Sequence, residues 1–117
     1  LDAAVRANNL IAEYSGLADA AAEDTATSTA TSTTLAIGTI TPTSANNLLT
    51  AIFAFNADVT VVTPPAGWTL LEAREGGASV WEYVYYKIQT SADASNPTIV
   101  LSGSCDIAGA AAAFGGA

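Results

Sequence analysis

Segments in which two sets of side chains alternate recur along this chain, and groups of turn-forming residues separate them. Residues 80–88 show the pattern most clearly, because β-branched and aromatic side chains occupy them with a period of two. The segments begin about ten residues apart, which is typical of a domain built from short strands. We therefore predict an all-β fold, an antiparallel β-sandwich of about seven to eight strands. The pattern leaves jelly-roll and immunoglobulin-like connections open.

Composition divides the chain into three parts. Residues 1–17 are predicted to form an N-terminal strand, although their alanine content also allows a helix over residues 2–14. Residues 18–33 are rich in Thr and Ala and are predicted to form a connector, with an edge strand as the alternative. Residues 34–117 are predicted to form the body of the sandwich. Whether the N-terminal strand pairs within its own sheet or is donated to a neighbouring subunit stays open at this point.

Two details of the body bear on its layering. Residues 48–55 are apolar on both faces of the predicted strand, which indicates a central strand that is covered twice. Near the C-terminus, residues 98–101 and 107–114 are predicted to form separate strands, because Ser-Gly-Ser at residues 102–104 is a turn signal.

The composition excludes several classes of chemistry. The chain has no His and a single Cys, which excludes His-based catalytic triads, Cys–His pairs and Cys-based zinc sites. Three basic residues against eleven acidic ones give a net charge of −8, which argues against nucleic acid as a partner. The longest apolar run is too short to cross a bilayer, so no membrane insertion is predicted. We predict a protein that is not an enzyme and that binds no metal and no cofactor.

Three aromatic residues with a period of two, Trp81, Tyr83 and Tyr85, share one face of the strand predicted over residues 80–88. Such a stripe is half of a core, a subunit interface, or a platform on which a surface glycan stacks. Trp68 follows a Pro-Ala-Gly turn, a position typical of a side chain that closes one end of a sandwich, and the alternative is a platform for a carbohydrate.

The candidate interface residues fall in two places. They are Leu10, Ile11 and Tyr14 in the N-terminal segment, and Trp81, Tyr83 and Tyr85 in the aromatic stripe. Both sets combine aromatic or large aliphatic side chains with a strand pattern, and Trp and Tyr are enriched where subunits meet.

One acidic residue conflicts with its surroundings. Glu82 lies on the apolar side of its predicted strand, and a buried carboxylate needs a partner. We predict an ion pair with Arg74 or with Arg6. The acidic residues Asp19, Glu23 and Asp24 are predicted to lie in a solvated loop, because the spacing of a calcium-binding loop is absent.

Four short motifs stand out, and they are residues 10–17 (Leu-Ile-Ala-Glu-Tyr-Ser-Gly-Leu), 46–49 (Asn-Asn-Leu-Leu), 63–71 (Thr-Pro-Pro-Ala-Gly-Trp-Thr-Leu-Leu) and 84–87 (Val-Tyr-Tyr-Lys). With the Ser/Thr-rich spacer, they resemble β-sandwich modules found in phage virion proteins and in bacterial secreted or surface proteins. The resemblance covers nearly the whole chain, and its most specific parts are the Pro-x-Gly-Trp and Tyr-Tyr-Lys pieces. It implies a structural role for these motifs and no chemistry.

Three functions are consistent with these features. The first is a non-enzymatic structural protein of a phage particle, a capsid decoration or tail-surface component, whose partners are copies of itself and other particle subunits. The second is a secreted filament subunit that assembles by donating its N-terminal strand to the next subunit. The third is a glycan-binding surface module. All three place the chain on a virion surface or outside the cell.

Overall fold

The computed structural model describes residues 21–75 and 80–116, and these residues form an all-β structure. The strands are β1 (Asp24–Ala36), β2 (Asn47–Asn56), β3 (Val61–Thr63), β4 (Thr69–Arg74), β5 (Val80–Gln89) and β6 (Thr98–Gly115). The prediction of an all-β antiparallel fold is confirmed, with six strands in one sheet where about seven to eight strands were predicted. Across the described residues there is no helix long and apolar enough to span a membrane. The candidate interface residues Leu10, Ile11 and Tyr14 lie outside the described ranges.

The sheet has the strand order β1-β6-β2-β5-β4, so β1 and β4 are its edges. β6 pairs with β1 on one side, and on its other side it pairs first with β3 and then with β2. Because β1 begins at Asp24, most of the Thr- and Ala-rich tract lies in an edge strand, which is the alternative that its alternation left open. The β-branched threonines explain this, since they favour an extended backbone over a helix.

The two strands predicted near the C-terminus form one strand, because β6 continues through residues 102–104. The predicted turn is wrong, but it marks a real irregularity. Ser32 pairs with Cys105 and Thr34 pairs with Val100, so four residues of β6 lie opposite one residue of β1. An excess of residues on one strand bends a sheet and increases its twist.

Beyond this bend, the chain folds back across one face of the sheet. The amide of Thr41 donates a hydrogen bond to Asp24 Oδ2 (2.8 Å), although 17 residues separate the two along the chain. Gly38 has a φ of 134° and approaches Ala26 so closely that an added Cβ would lie 3.2 Å from the Ala26 Cβ. The segment 37–40 is held there by a bridge between Ile40 and Ser95.

The core lies between this returning segment and the sheet. β2 contributes its largest side chains, and Phe53 and Phe55 are fully buried. The other members of the cluster are Leu35, Ile37, Ile40, Leu49, Ala51, Val59, Tyr85, Ile99, Leu101, Cys105, Ile107, Ala111 and Ala113. We call the side of the sheet that carries these residues the inner face.

The opposite side, the outer face, is defined by the register of the strands. Alternate residues of neighbouring strands lie side by side on it, as in the row Thr27, Ala110, Ile52 and Val84. The outer-face residues of the four strands are Thr25, Thr27, Thr29 and Thr31 of β1, Asp106, Ala108, Ala110, Ala112 and Phe114 of β6, Leu48, Thr50, Ile52 and Ala54 of β2, and Glu82, Val84, Tyr86 and Ile88 of β5.

Candidate assembly surface

The edge strand β1 is long and carries no charge over most of its length. It spans 13 residues, and residues 25–36 contain only Thr, Ser, Ala and one Leu. Within the described ranges, β6 is its only strand neighbour, so the backbone groups along its other edge have no strand partner. Soluble proteins commonly shield such edges with Lys, Pro or short strands, because an open edge is a template for another strand.

The outer face beside this edge is built from small side chains. The threonines of β1 are exposed, as are Ala108 and Ala110 of β6, which lie opposite Thr29 and Thr27. The one acidic group among them is engaged, since Thr31 Oγ1 donates a hydrogen bond to Asp106 Oδ1 (2.6 Å). A surface of methyl and hydroxyl groups lets another backbone approach closely at little cost in side-chain entropy.

The opposite edge of the sheet exposes apolar side chains. Leu70 and Leu71 of β4 expose nearly half of their surfaces. They lie at an irregularity, since Leu70 pairs with Tyr85 and Glu72 pairs with Val84. A bulge of this kind limits pairing at an edge, while exposed leucines favour burial against another surface.

The aromatic stripe lies on the inner face. Tyr85 belongs to the core, where its ring meets Phe53 edge to face at 6.0 Å between centroids. Tyr83 is partly buried, with its ring 5.3 Å from that of Phe55, and Trp81 also packs against the core. These contacts make the stripe part of the packing of the subunit. Trp81 and Tyr83 stay partly exposed, and the interface and glycan interpretations stay predictions.

Trp68 lies on the side of the core that the returning segment 37–40 covers. Its ring packs against the core cluster, and its Nε1 donates a hydrogen bond to Ser95 Oγ (3.3 Å). A partly buried Trp whose indole N–H is hydrogen-bonded is a structural anchor.

Glu82 lies directly opposite Arg74 in the pairing of β5 with β4. Glu82 is 9% exposed, and burial raises the pKa of its carboxyl group, while the charge of Arg74 opposes the rise. The register places Glu82 next to the first of the two predicted partners, and the ion pair itself stays a prediction. Arg6, the second, lies outside the described residues.

The hydroxyl group of Tyr83 should lose its proton only at an unusually high pH. Burial, followed by a hydrogen bond that its hydroxyl donates to Glu75 (2.9 Å) and by the charge of Glu75, raises the pKa of Tyr83 to about 12. We expect Glu75→Gln to lower this pKa, because the neutral amide no longer disfavours the phenolate. The difference in absorbance at 295 nm between each chain and its Tyr83→Phe variant isolates the titration. Glu72→Gln is the matched control, and an equal shift in both variants would contradict the assignment.

Two acidic residues that were predicted to be solvated instead tie the start of β1 to a turn. Glu23 accepts hydrogen bonds from the amides of Thr43 and Ser44 and from the Ser44 hydroxyl (2.5 Å). The hydrogen bond from the Ser44 hydroxyl is the main reason that the pKa of Glu23 is lowered. Asp24 accepts the amide of Thr41 in the same way. No pattern in the sequence indicates this pairing, because the partners lie about 20 residues away in a turn with no motif of its own.

Asn47 is a second residue whose role the sequence conceals. It is fully buried, and its Nδ2 donates hydrogen bonds to the carbonyls of Ser44 (2.9 Å) and Ser91 (2.8 Å). Its Oδ1 accepts a hydrogen bond from Gln89 Nε2 (3.0 Å). One side chain therefore joins the turn before β2 to the loop after β5.

A groove of about 750 Å³ opens where β2 stops pairing with β6. Phe55, Cys105 and Ile107 form its apolar floor, and Asn56, Ser104 and Asp106 line its rim. Cys105 is a buried free thiol, which behaves as a small apolar side chain. In the part of the chain that the structure describes, no three His, Cys, Asp or Glu side chains come together as a metal site.

Comparison with known proteins identifies no relative of this chain. No protein-family model, no curated protein and no solved structure matches the chain.

Proposed function

We propose that this chain is a non-enzymatic structural subunit of a phage particle, a capsid decoration or tail-surface component that works through contacts between subunits. The observation that supports the proposal is the edge strand β1, which is long, exposed and uncharged from residue 25 to residue 36. Such an edge promotes unwanted association of a monomer and stabilises an assembly, because its main-chain groups can form hydrogen bonds with a neighbouring subunit.

The other edge of the sheet supports the same proposal. β4 exposes Leu70 and Leu71, which would be buried against an adjoining subunit. Contacts at both edges of one sheet let each subunit touch two neighbours, and many weak contacts in a lattice add up to a stable array. The all-β antiparallel structure of the described strands is compatible with the modules that the sequence resembles, and the sandwich arrangement belongs to the proposal.

Lysines placed on β1 test this proposal. We expect the chain to form oligomers that light scattering detects after size-exclusion chromatography, and we expect Thr27→Lys with Thr29→Lys to leave it monomeric. Both positions are exposed, so the substitutions should change the stability of the subunit by no more than about 0.5 kcal/mol. Charged side chains on an edge strand oppose pairing with another copy.

The matched control adds the same charge elsewhere. Thr60→Lys with Ala94→Lys changes two exposed loop positions away from β1, and this variant should assemble as the original chain does. Loss of assembly in both variants would assign the effect to net charge, and a chain that is monomeric at every concentration would contradict the proposal.

The phage particle itself is tested by mass spectrometry of purified virions from the source culture. On our proposal the chain is present in many copies per particle and lies on the virion surface. Recovery of the chain only as free filaments would support the alternative of strand donation, and binding to a glycan array without assembly would support the surface-binding alternative.

A further inference from the structure

The outer face carries side chains that are as deeply buried as the core. Val84 of β5 is 1% exposed and Leu48 of β2 is 4% exposed, although neither belongs to the inner-face cluster. Glu82 on the same face is 9% exposed. Ile88 of β5, directly opposite Leu48, is 65% exposed, and Ile52 of β2 is only partly buried, so the shielding is local.

The described strands do not account for this burial. All six lie within one sheet, and the returning segment 37–40 lies on the inner side, against Gly109 and Ala26. Side chains on a sheet stand perpendicular to it, so neighbouring strands shield their flanks and leave their tips open. A strand that is apolar on both faces, as β2 is, needs a second layer.

We propose that residues 1–17 of the same chain dock on this part of the outer face and form that layer. The point at which the chain enters the sheet supports this occupant. The amide of Glu23 donates a hydrogen bond to the carbonyl of Ala113 (2.6 Å), and Ala113 pairs with Leu49. The residues that precede Glu23 therefore start next to β6, at the same end of the sheet as Leu48 and one strand away from it.

The length and composition of residues 1–17 match the shielded part of the outer face. Seventeen extended residues reach about 56 Å, and β2 with ten residues is about 33 Å long, so the segment can cover the whole strand. Its apolar side chains include Leu10, Ile11 and Tyr14, and its only charged residues are Asp2, Arg6 and Glu13. Docking within one copy leaves the edge strand β1 available for assembly, so this inference stands independently of the proposed function.

Thiol accessibility in the full chain tests the docking. In a Cys105→Ser background, we expect V84C to react with a maleimide at least about tenfold more slowly than A110C, which lies on the exposed part of the same face. Adding Leu10→Asp and Ile11→Asp should raise the V84C rate toward that of A110C and leave A110C unchanged. Equal rates for V84C and A110C in the starting chain, or a V84C rate that the N-terminal substitutions do not change, would overturn the proposal.

An inner-face cysteine, A51C, reports whether these variants stay folded, since Ala51 is 1% exposed. If the N-terminal substitutions make A51C reactive, cross-linking of the otherwise unchanged chain decides the question. A short bis-maleimide should join Y14C to T50C within one copy, and it should not join Y14C to T31C on the far side of the same face. Products that form only between copies would overturn docking within the chain in favour of strand donation, and the absence of any Y14C–T50C product would overturn it outright.

Discussion

Replacing Asn47 with Ala should lower the free energy of unfolding by about 3 kcal/mol, because a fully buried side chain loses three hydrogen bonds. Asn47 is fully buried, and the substitution removes the donor to the carbonyls of Ser44 and Ser91 and the acceptor for Gln89. For a domain of this size, the loss corresponds to a fall in Tm on the order of 10–15 °C.

The neighbouring residue supplies the matched control. Asn46 is exposed, and its backbone carbonyl, which accepts a hydrogen bond from Gly116, is retained in Asn46→Ala. This variant should stay within about 0.5 kcal/mol of the original chain. Urea unfolding followed by Trp fluorescence measures both variants. Equal free energies of unfolding for the two variants would show that the hydrogen bonds of Asn47 contribute no net stability.

Asn47 and Glu23 have a common consequence for the assembly surface. Glu23 binds the turn at residues 43–44, and Asn47 binds the same turn to the loop that follows β5. Both act at the end of the sheet where β1 begins, so they hold the start of the edge strand against the rest of the subunit. An edge that presents a fixed backbone loses less entropy when a neighbour pairs with it.

The sequence predicted the strands of this fold much better than their arrangement. The alternation in residues 47–56 and 80–89 identifies β2 and β5, because a period of two is a local property of an extended chain. The stripe of Trp81, Tyr83 and Tyr85 was found in the same way. Its inner position depends on which face the returning segment covers, and no local pattern encodes that choice.

The errors have the same physical origin. The Ser-Gly-Ser piece at residues 102–104 has the composition of a turn, but pairing with β1 on both sides of it keeps the strand continuous. Glu23 was expected in solvent because its partners lie in a distant turn. Tertiary hydrogen bonds override local preference at both places.

The return of the chain over the inner face has a direct test at Gly109. A Cβ added there would lie 2.6 Å from Ile37 Cγ1 and 3.0 Å from Leu35 Cδ2, and both side chains are buried. Gly109→Val should therefore destabilise the subunit by about 3 kcal/mol through overpacking, although valine is the better strand former. The measurement is urea unfolding of the purified chain.

Two further variants assign the effect to the returning segment. Ala110→Val, one residue away on the exposed outer face, should change stability by no more than about 0.5 kcal/mol. Ile37→Ala is destabilising alone, but combined with Gly109→Val it should cost less than the sum of the two, because the shortened side chain makes room for the new one. Additive effects would mean that Gly109 and Ile37 are not in contact. The layer over the inner face would then have to come from another part of the chain, and the open edge of β1 would lose the support that orients it for assembly.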